Sequence, residues 1–160
     1  MTHYTSRWLC AALFSASLNA AETLSVDDVL QYPDAPSGVV FEIVESAPER
    51  LAPALSQAQG DAIRLRGKFP EMPIAIVSHG REQFALLSAN EGRFEDAHRL
   101  SDQLINSGVE ISVCGVHAER QGKTPEDFSK QIDVSAEGPA RIRDLEALGY
   151  LRVRIRATKP

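Results

Sequence analysis

Cysteine is scarce in this chain of 160 residues, which contains only Cys10 and Cys114. The sequence has neither the C-x-x-C pair of thioredoxin-like redox sites nor the C-x-x-C-H motif to which c-type haem is attached. It also lacks the glycine-rich loop that cradles the phosphates of a bound nucleotide. These absences argue against a dithiol oxidoreductase, a haem protein and a nucleotide-binding protein, and we expect no cofactor.

Positive charge is also limited, since the formal net charge at pH 7 is −5. Arginines do cluster near the C-terminus, but acidic residues are interspersed among them. The cluster consists of Arg141, Arg143, Arg152, Arg154 and Arg156. A protein that binds the phosphate backbone of nucleic acid needs a basic surface. We therefore expect no nucleic-acid partner.

The apolar run near the N-terminus, Trp8–Ala16, is too short for a membrane-spanning helix, which needs about 20 residues. A single positive charge, Arg7, precedes the run, and small residues follow it up to Ala20. This order is typical of a secretory signal peptide. The pattern predicts a signal peptide over residues 1–20 and a mature protein that is periplasmic or secreted, with no membrane attachment. An uncleaved anchor or a buried N-terminal helix is the alternative.

Cleavage after residue 20 would leave Cys114 as the single cysteine of the mature chain. Secreted proteins normally pair their structural cysteines in disulfides. An unpaired cysteine in an oxidising compartment indicates a reactive thiol, a metal ligand or a bridge to another molecule. A buried cysteine that packs as a small apolar residue is the structural alternative.

Apolar segments alternate with helical segments along the rest of the chain. The predicted strands are Val39–Val44, Met72–Gly80, Val109–Cys114, Ile132–Ser135 and Tyr150–Ile155. The predicted helices begin near Pro48, Phe94, Ala118 and Pro139. We expect the first helix to break or end near Gly60, because glycine interrupts its apolar spacing.

This alternation predicts an α/β fold in three layers, with a mostly parallel five-stranded sheet between helices. The last strand alternates apolar residues with arginine, so we expect it at an edge of the sheet. Residues 21–38 are assigned to an N-terminal linker and residues 39–157 to a single domain.

Two of the predicted strands end in residues that can carry chemistry. These endings are Ser78-His79-Gly80 and Cys114-Gly115-Val116-His117. The carboxyl ends of parallel strands share one edge of the sheet, and open α/β sheets bind ligands at that edge. If the two strands are neighbours, His79 approaches Cys114. A histidine or a helix N-terminus beside a thiol stabilises the reactive thiolate.

Three segments of the chain follow a family pattern. They are PIAIVSHGREQFALL, LINSGVEISVCGVHAERQGKTPEDF and VSAEGPARIRDLEALGYLRVRI. The order is a strand ending in His-Gly, a helix, a strand ending in Val-Cys-Gly, and a helix leading through Gly-Tyr into the last strand. In this order and spacing, the chain from about Val39 to Ile155 resembles the DsrE/DsrF-like family, which includes the TusD and YchN-like proteins. The resemblance implies a flavodoxin-like, three-layer α/β/α domain.

The resemblance also implies sulfur transfer, in which a cysteine accepts sulfur as a persulfide and passes it to another protein. It implies a homo-oligomer (a trimer or a hexamer) and sulfur donor and acceptor proteins as partners. Cys114 falls at a cysteine position that is common among YchN-like members. The signal peptide departs from the cytoplasmic relay proteins, and His117 and Glu119 stand where many relatives have a small polar and an apolar residue. These departures disfavour transfer-RNA thiolation and leave a periplasmic role in thiol or sulfur handling.

We therefore predict a sulfur carrier or sulfurtransferase with Cys114 as the nucleophile and His79 as the group that favours its thiolate. Gly80, Gly115 and His117 are the predicted substrate-binding residues. The alternative function is a non-catalytic, oligomeric ligand-binding or interaction module in which Cys114 is structural.

Two other chemistries lack a component in the sequence. Zinc or copper could use Cys114, His79 and His117, but no fourth ligand is identifiable, so we predict no metal site. Hydrolysis by Cys114 and His79 would need an orienting acid and an oxyanion hole. No acidic partner is identifiable near either residue in the sequence.

Overall fold

Strands and helices alternate through residues 24–157, which are the residues that the computed structural model describes. The predicted signal peptide, residues 1–20, lies outside this range. The strands are β1 (Gly38–Ile43), β2 (Ile74–Ser78), β3 (Val109–Cys114), β4 (Asp133–Ser135) and β5 (Tyr150–Ile155). The helices are α1 (Val26–Val29), α2 (Leu51–Lys68), α3 (Glu95–Asn106), α4 (Gly115–Glu119) and α5 (Gly138–Ala147). Short 3-10 turns occupy Pro48–Arg50, Arg81–Leu86, Ser88–Asn90 and Pro125–Asp127.

All five strands are parallel and form one sheet in the order β4-β3-β2-β1-β5. Helices flank both faces, so the predicted three-layer, flavodoxin-like α/β fold is confirmed. β5 lies at an edge of the sheet, as its alternation of apolar residues with arginine predicted. The short β4 forms the other edge. β2 and β3 are neighbours, so their carboxyl ends lie side by side.

The sheet separates two apolar clusters of unequal size. The larger cluster packs one face of the sheet against α1, α2 and α3, and Phe41, Ile76 and Ile111 are among its strand residues. The smaller cluster lies on the opposite face, where Ile142 and Leu145 of α5 meet Val40, Ala75 and Val77. Strands buried on both faces require nearly continuous apolar sequence, which explains the apolar run in β2 and the run in β1 that only Glu42 interrupts.

The prediction that the first helix ends near Gly60 is wrong, because α2 continues to Lys68. Gly60 is exposed, and no atom lies within 4 Å of the place where a side-chain Cβ would be. Glycine inside a helix costs about 1 kcal/mol relative to alanine. Burial of Ala62 and Leu65 beyond the glycine outweighs that cost, since a fully buried leucine alone contributes about 1.5–3 kcal/mol.

The segment assigned to an N-terminal linker contributes to the core. Val26 and Val29 of α1 are buried in the larger apolar cluster. Leu24 forms an isolated parallel bridge with Val153 of β5. The part of residues 21–38 that the structure describes therefore packs on the domain.

Glycines end two helices as the sequence pattern predicts. Gly108 follows α3 with a φ of 80°, and Gly149 follows α5 with a φ of 89°. This left-handed conformation is cheap for glycine and allows the chain to leave the helix sharply. Within residues 24–157, no helix combines the length and the apolar character needed to cross a membrane.

Candidate functional site

Cys114 and His79 lie together at the carboxyl edge of the sheet. Cys114 is the last residue of β3, and His79 directly follows the neighbouring β2. A Cβ atom built on Gly138 would lie 2.5 Å from His79 Cβ and 3.3 Å from Cys114 Cβ. The first residue of α5 therefore packs against both side chains, and only glycine fits there. The sequence-based expectation that these two residues approach each other agrees with this placement.

The two residues line an open pocket with a volume of about 410 Å³. The pocket is lined by His79, Cys114, Val116, His117, Arg120, Glu137 and Pro139. Other pockets of the described chain are larger, including one of about 520 Å³ beside α3. The pocket at Cys114 stands out for its chemistry, because it brings together a thiol, two imidazoles and one side chain of each charge.

A buried carboxylate holds the His79 ring. Glu42 of β1 is 3% exposed, and its Oε1 lies 2.9 Å from His79 Nε2. The other carboxylate oxygen, Oε2, accepts two hydrogen bonds from the Arg152 guanidinium, at 3.0 and 2.6 Å. Each carboxylate oxygen of Glu42 is thus engaged by a different partner. Glu42 and Arg152 were not predicted as site residues.

The environment keeps Glu42 ionised. Burial raises the pKa of Glu42, but the hydrogen bonds from His79 and Arg152, together with their positive charge, lower it from 4.5 to about 2. The carboxylate is therefore charged at every pH at which the protein would normally act. The permanent negative charge of Glu42 beside Nε2 fixes the orientation of the His79 ring.

The hydrogen bond to Glu42 assigns the tautomer of His79. An ionised carboxylate can only accept a hydrogen bond, so Nε2 of His79 carries a proton. In the neutral ring, Nδ1 is then the nitrogen that can accept a proton. No hydrogen bond joins the His79 ring to the Cys114 thiol within residues 24–157. Proton transfer between them thus requires a side-chain movement or a bridging water, and catalytic hydrogen bonds often form only when a substrate is bound.

His117 closes another side of the pocket. Its Nδ1–H donates to the backbone oxygen of His79, with a distance of 3.1 Å. The His117 ring also packs against Phe84 in an edge-to-face arrangement, with ring centres 5.1 Å apart. With Nδ1 used in this bond, Nε2 of His117 is the nitrogen that can serve a ligand.

Gln83 contacts the backbone of Cys114 and is not among the residues that line the pocket. Its side-chain Oε1 accepts a hydrogen bond from the Cys114 N–H at 2.8 Å. Gln83 is completely buried, and its Nε2 has no hydrogen-bond partner among the described residues. Gln83 was not predicted as a site residue, and a glutamine directly before the apolar run of residues 84–87 was the one available signal in the sequence.

Close packing accounts for glycine at two of the predicted substrate-binding positions. A Cβ on Gly80 would lie 2.2 Å from Glu82 Oε2 and 2.5 Å from the Glu45 backbone oxygen. A Cβ on Gly115 would lie 2.9 Å from the Ser135 backbone oxygen. Neither glycine is among the residues that line the pocket. Their contact with a substrate stays a prediction.

Glu82 fixes the turn that follows His79. This fully buried carboxylate accepts hydrogen bonds from the Ser78 hydroxyl at 2.7 Å and from the Gly80 N–H at 3.0 Å. Its second oxygen accepts from the Glu45 N–H at 2.7 Å. These bonds tie the ends of β1 and β2 together, so the backbone on either side of His79 is held in place.

The described residues contain no group of three or more histidine, cysteine, aspartate and glutamate side chains that could hold a metal ion. Cys114, His79 and His117 share the pocket, and one nitrogen of each imidazole is already bonded, that of His79 to Glu42 and that of His117 to the His79 backbone.

Comparisons with known proteins bear on the fold alone. No family model matches the sequence, and no curated protein matches it. The structure is similar to that of a protein of unknown function, MTH1491, from Methanobacterium thermoautotrophicum, with a TM-score of 0.59 and 21% sequence identity. The match covers 72% of this chain and 96% of that chain. At this level of identity, the similarity establishes a shared architecture.

Proposed function

We propose that this protein is a DsrE/DsrF-like sulfur carrier or sulfurtransferase that holds sulfane sulfur on Cys114. The observation that carries the proposal is the shared pocket of Cys114 and His79, in which the buried Glu42 orients the imidazole. A histidine held by a carboxylate beside a thiol is an arrangement that activates cysteine as a nucleophile.

Sulfur uptake begins when the Cys114 thiol gives its proton to Nδ1 of His79. The resulting thiolate attacks the outer sulfur of a donor persulfide. A bond forms between that sulfur and Cys114, the sulfur–sulfur bond of the donor breaks, and the donor leaves as a thiolate that takes up a proton. The reaction moves one sulfane sulfur and needs no external oxidant or reductant.

Delivery follows the same chemistry in reverse. A thiolate of the acceptor attacks the outer sulfur of the Cys114 persulfide, and Cys114 leaves as the thiolate. His79 then returns the proton. The pocket supports this exchange because Val116, Arg120 and Glu137 are exposed around it and offer both apolar and charged contacts to a donor or acceptor protein.

The proposal also covers the cellular location and the oligomeric state of the protein. We propose that the protein is periplasmic or secreted after removal of residues 1–20, and that it forms a homotrimer or homohexamer. N-terminal sequencing of the exported protein tests the first statement. Light scattering of the purified protein tests the second, and a monomer at micromolar concentration would contradict it.

Acyl transfer by Cys114 is a second candidate, and Glu42 is the observation in its favour. The sequence offered no acid to orient His79, whereas Glu42 Oε1 lies 2.9 Å from its ring. A thioester substrate would distinguish the two chemistries. Stoichiometric acylation of Cys114 followed by hydrolysis would favour acyl transfer over sulfur carriage.

Intact mass spectrometry tests the proposed function. The full chain is incubated with glutathione persulfide, freed of small molecules and weighed before and after reduction. We expect a gain of one sulfur atom that reductant removes, that persists in Cys10→Ser and that is lost in Cys114→Ser. A protein that takes up no sulfur at Cys114 would contradict the proposal and favour a binding module with a structural cysteine.

A further inference from the structure

The side-chain amide of Gln83 has a fixed orientation. Its oxygen accepts the Cys114 N–H at 2.8 Å, and an amide NH₂ group could not accept that bond. The NH₂ group of Gln83 must therefore be the other arm of the same amide. It lies near the Cys114 backbone, because both arms of the amide are bonded to the same carbon atom.

This NH₂ group differs in its hydrogen bonding from the neighbouring buried side chain of the same turn. Nε2 of Gln83 is buried and has no hydrogen-bond partner among the described residues. The adjacent residue of the same turn, Glu82, is equally buried, but its carboxylate accepts three hydrogen bonds. A buried donor without a partner is unfavourable, so native proteins retain few of them, and those they retain call for a physical explanation.

A charged sulfur on Cys114 would supply the missing acceptor. The Cys114 thiol does not accept a hydrogen bond from this NH₂ group in the reduced protein. A thiolate or a persulfide anion accepts much more strongly, because hydrogen bonds to ionised groups are shorter and stronger than those between neutral groups. The terminal sulfur of a persulfide also extends one bond further from Cys114 than the thiol does.

We propose that Gln83 is a positioning residue that stabilises the anionic sulfur of Cys114. Its Oε1 holds the Cys114 backbone, and its Nε2 donates to the thiolate and then to the terminal sulfur of the persulfide. This inference rests on the proposed sulfur chemistry for its persulfide part, whereas its thiolate part applies to the reduced protein alone.

Gln83 would act differently from the charged groups around the same sulfur. Those groups are His79 after β2, His117 in α4, Arg120 after α4 and Glu137 before α5. The effect of His79 and His117 depends on their protonation. The amide of Gln83 does not titrate, so its contribution to the sulfur anion is the same at every pH.

Two substitutions separate the two arms of the amide. Gln83→Glu keeps an oxygen to accept the Cys114 N–H but replaces the donor with a second acceptor. Gln83→Met has similar length and removes both arms. The matched control is Gln57→Met in α2, because Gln57 also has a buried unpaired amide atom and lies outside the pocket.

The first readout is the ultraviolet absorbance of the thiolate in the reduced protein, taken as the difference from Cys114→Ser. We expect the thiolate-to-thiol ratio at neutral pH to fall about tenfold or more in Gln83→Glu and Gln83→Met, and to be unchanged in Gln57→Met. If both Gln83 variants fold and keep the wild-type thiolate-to-thiol ratio, the inference is overturned. If Gln83→Met does not fold, Gln83→Glu alone decides, since it retains the bond to the backbone.

The second readout is the lifetime of the Cys114 persulfide in the presence of excess small thiol. We expect it to shorten about tenfold in Gln83→Glu relative to the wild type and to Gln57→Met. Persulfide formation in the wild type with an unchanged lifetime in the variant would overturn this part of the inference and leave the proposed function intact. Absence of persulfide in the wild type would overturn the function and this part together, while the thiolate ratio would still test the first part.

Discussion

The two faces of the sheet bury different kinds of side chain. The face beneath α1, α2 and α3 is filled mainly by apolar residues such as Phe41 and Ile76, although α3 also buries His98 and Ser101. The face beneath α5 has a smaller apolar cluster, and next to it the chain buries Glu42, Ser112 and Cys114. Alternate residues of the same strands supply both faces, so a single residue step separates Phe41 from Glu42. The comparison indicates that one face stabilises the domain and the other holds the reactive groups.

The largest expected effect on stability comes from the apolar face. Phe41→Ala removes a fully buried ring from the larger cluster, and the free energy of unfolding should fall by about 3–5 kcal/mol. Urea denaturation measures this change. If the faces are separate in function, the folded variant keeps the wild-type alkylation rate at Cys114. The rate is measured at a low temperature, at which the variant is folded. A large change in the alkylation rate of Cys114 would contradict the separation of the two faces.

Acid should lower the free energy of unfolding, and the titration of Glu42 on the α5 face is the reason. The pKa of Glu42 is lowered from 4.5 to about 2 in the folded protein by His79 and Arg152, despite burial, which raises it. Above pH 4.5 the carboxylate is ionised in both states and its stabilisation is complete. As the pH falls from 4.5 towards 2, only the unfolded chain takes up the proton, and about 3 kcal/mol of stability is lost.

The pH dependence is checked by denaturation of the wild type and of Glu42→Gln across this range. Gln has nearly the same shape but does not titrate, so its stability should fall less steeply with acid. Parallel curves for the two proteins would show that Glu42 is not the group responsible.

A smaller effect is expected where α5 meets the two reactive residues. Gly138→Ala places a Cβ 2.5 Å from His79 Cβ and should cost about 1–3 kcal/mol by forcing the helix away from the sheet. The same change should alter the alkylation rate of Cys114, since α5 covers it. Gly92→Ala is the control, because no atom lies within 4 Å of its added Cβ. Equal effects of the two substitutions would contradict the packing described for Gly138.

The smallest expected change in the free energy of unfolding is a gain. It comes from a substitution in α2, which packs on the face opposite α5. Gly60→Ala fills open space in α2 and should raise the free energy of unfolding by about 1 kcal/mol. Thermal unfolding of the variant measures the gain. A loss of stability would mean that Gly60 has a role other than helix formation.

The sequence allowed the strands and the edge position of β5 to be predicted more fully than the site. Apolar runs mark β1, β2 and β3, apolar residues alternating with arginine mark β5, and strand endings placed His79 and Cys114 at one edge. The carboxylate that holds His79 could not be found in this way, because Glu42 and His79 are separated by 37 positions and meet only through the pairing of β1 with β2. Local composition also failed at Gly60, where burial further along α2 outweighs the glycine.

The central claim is that His79, held by Glu42, activates Cys114. The most direct measurement is the rate of Cys114 alkylation by iodoacetamide at neutral pH in the wild type, in His79→Gln and in His98→Gln. His98 is a buried histidine of α3 that bonds to the Ala85 backbone outside the pocket, so it serves as the control. We predict a fall of about tenfold or more in His79→Gln and no change in His98→Gln. Equal rates in all three proteins would contradict the claim.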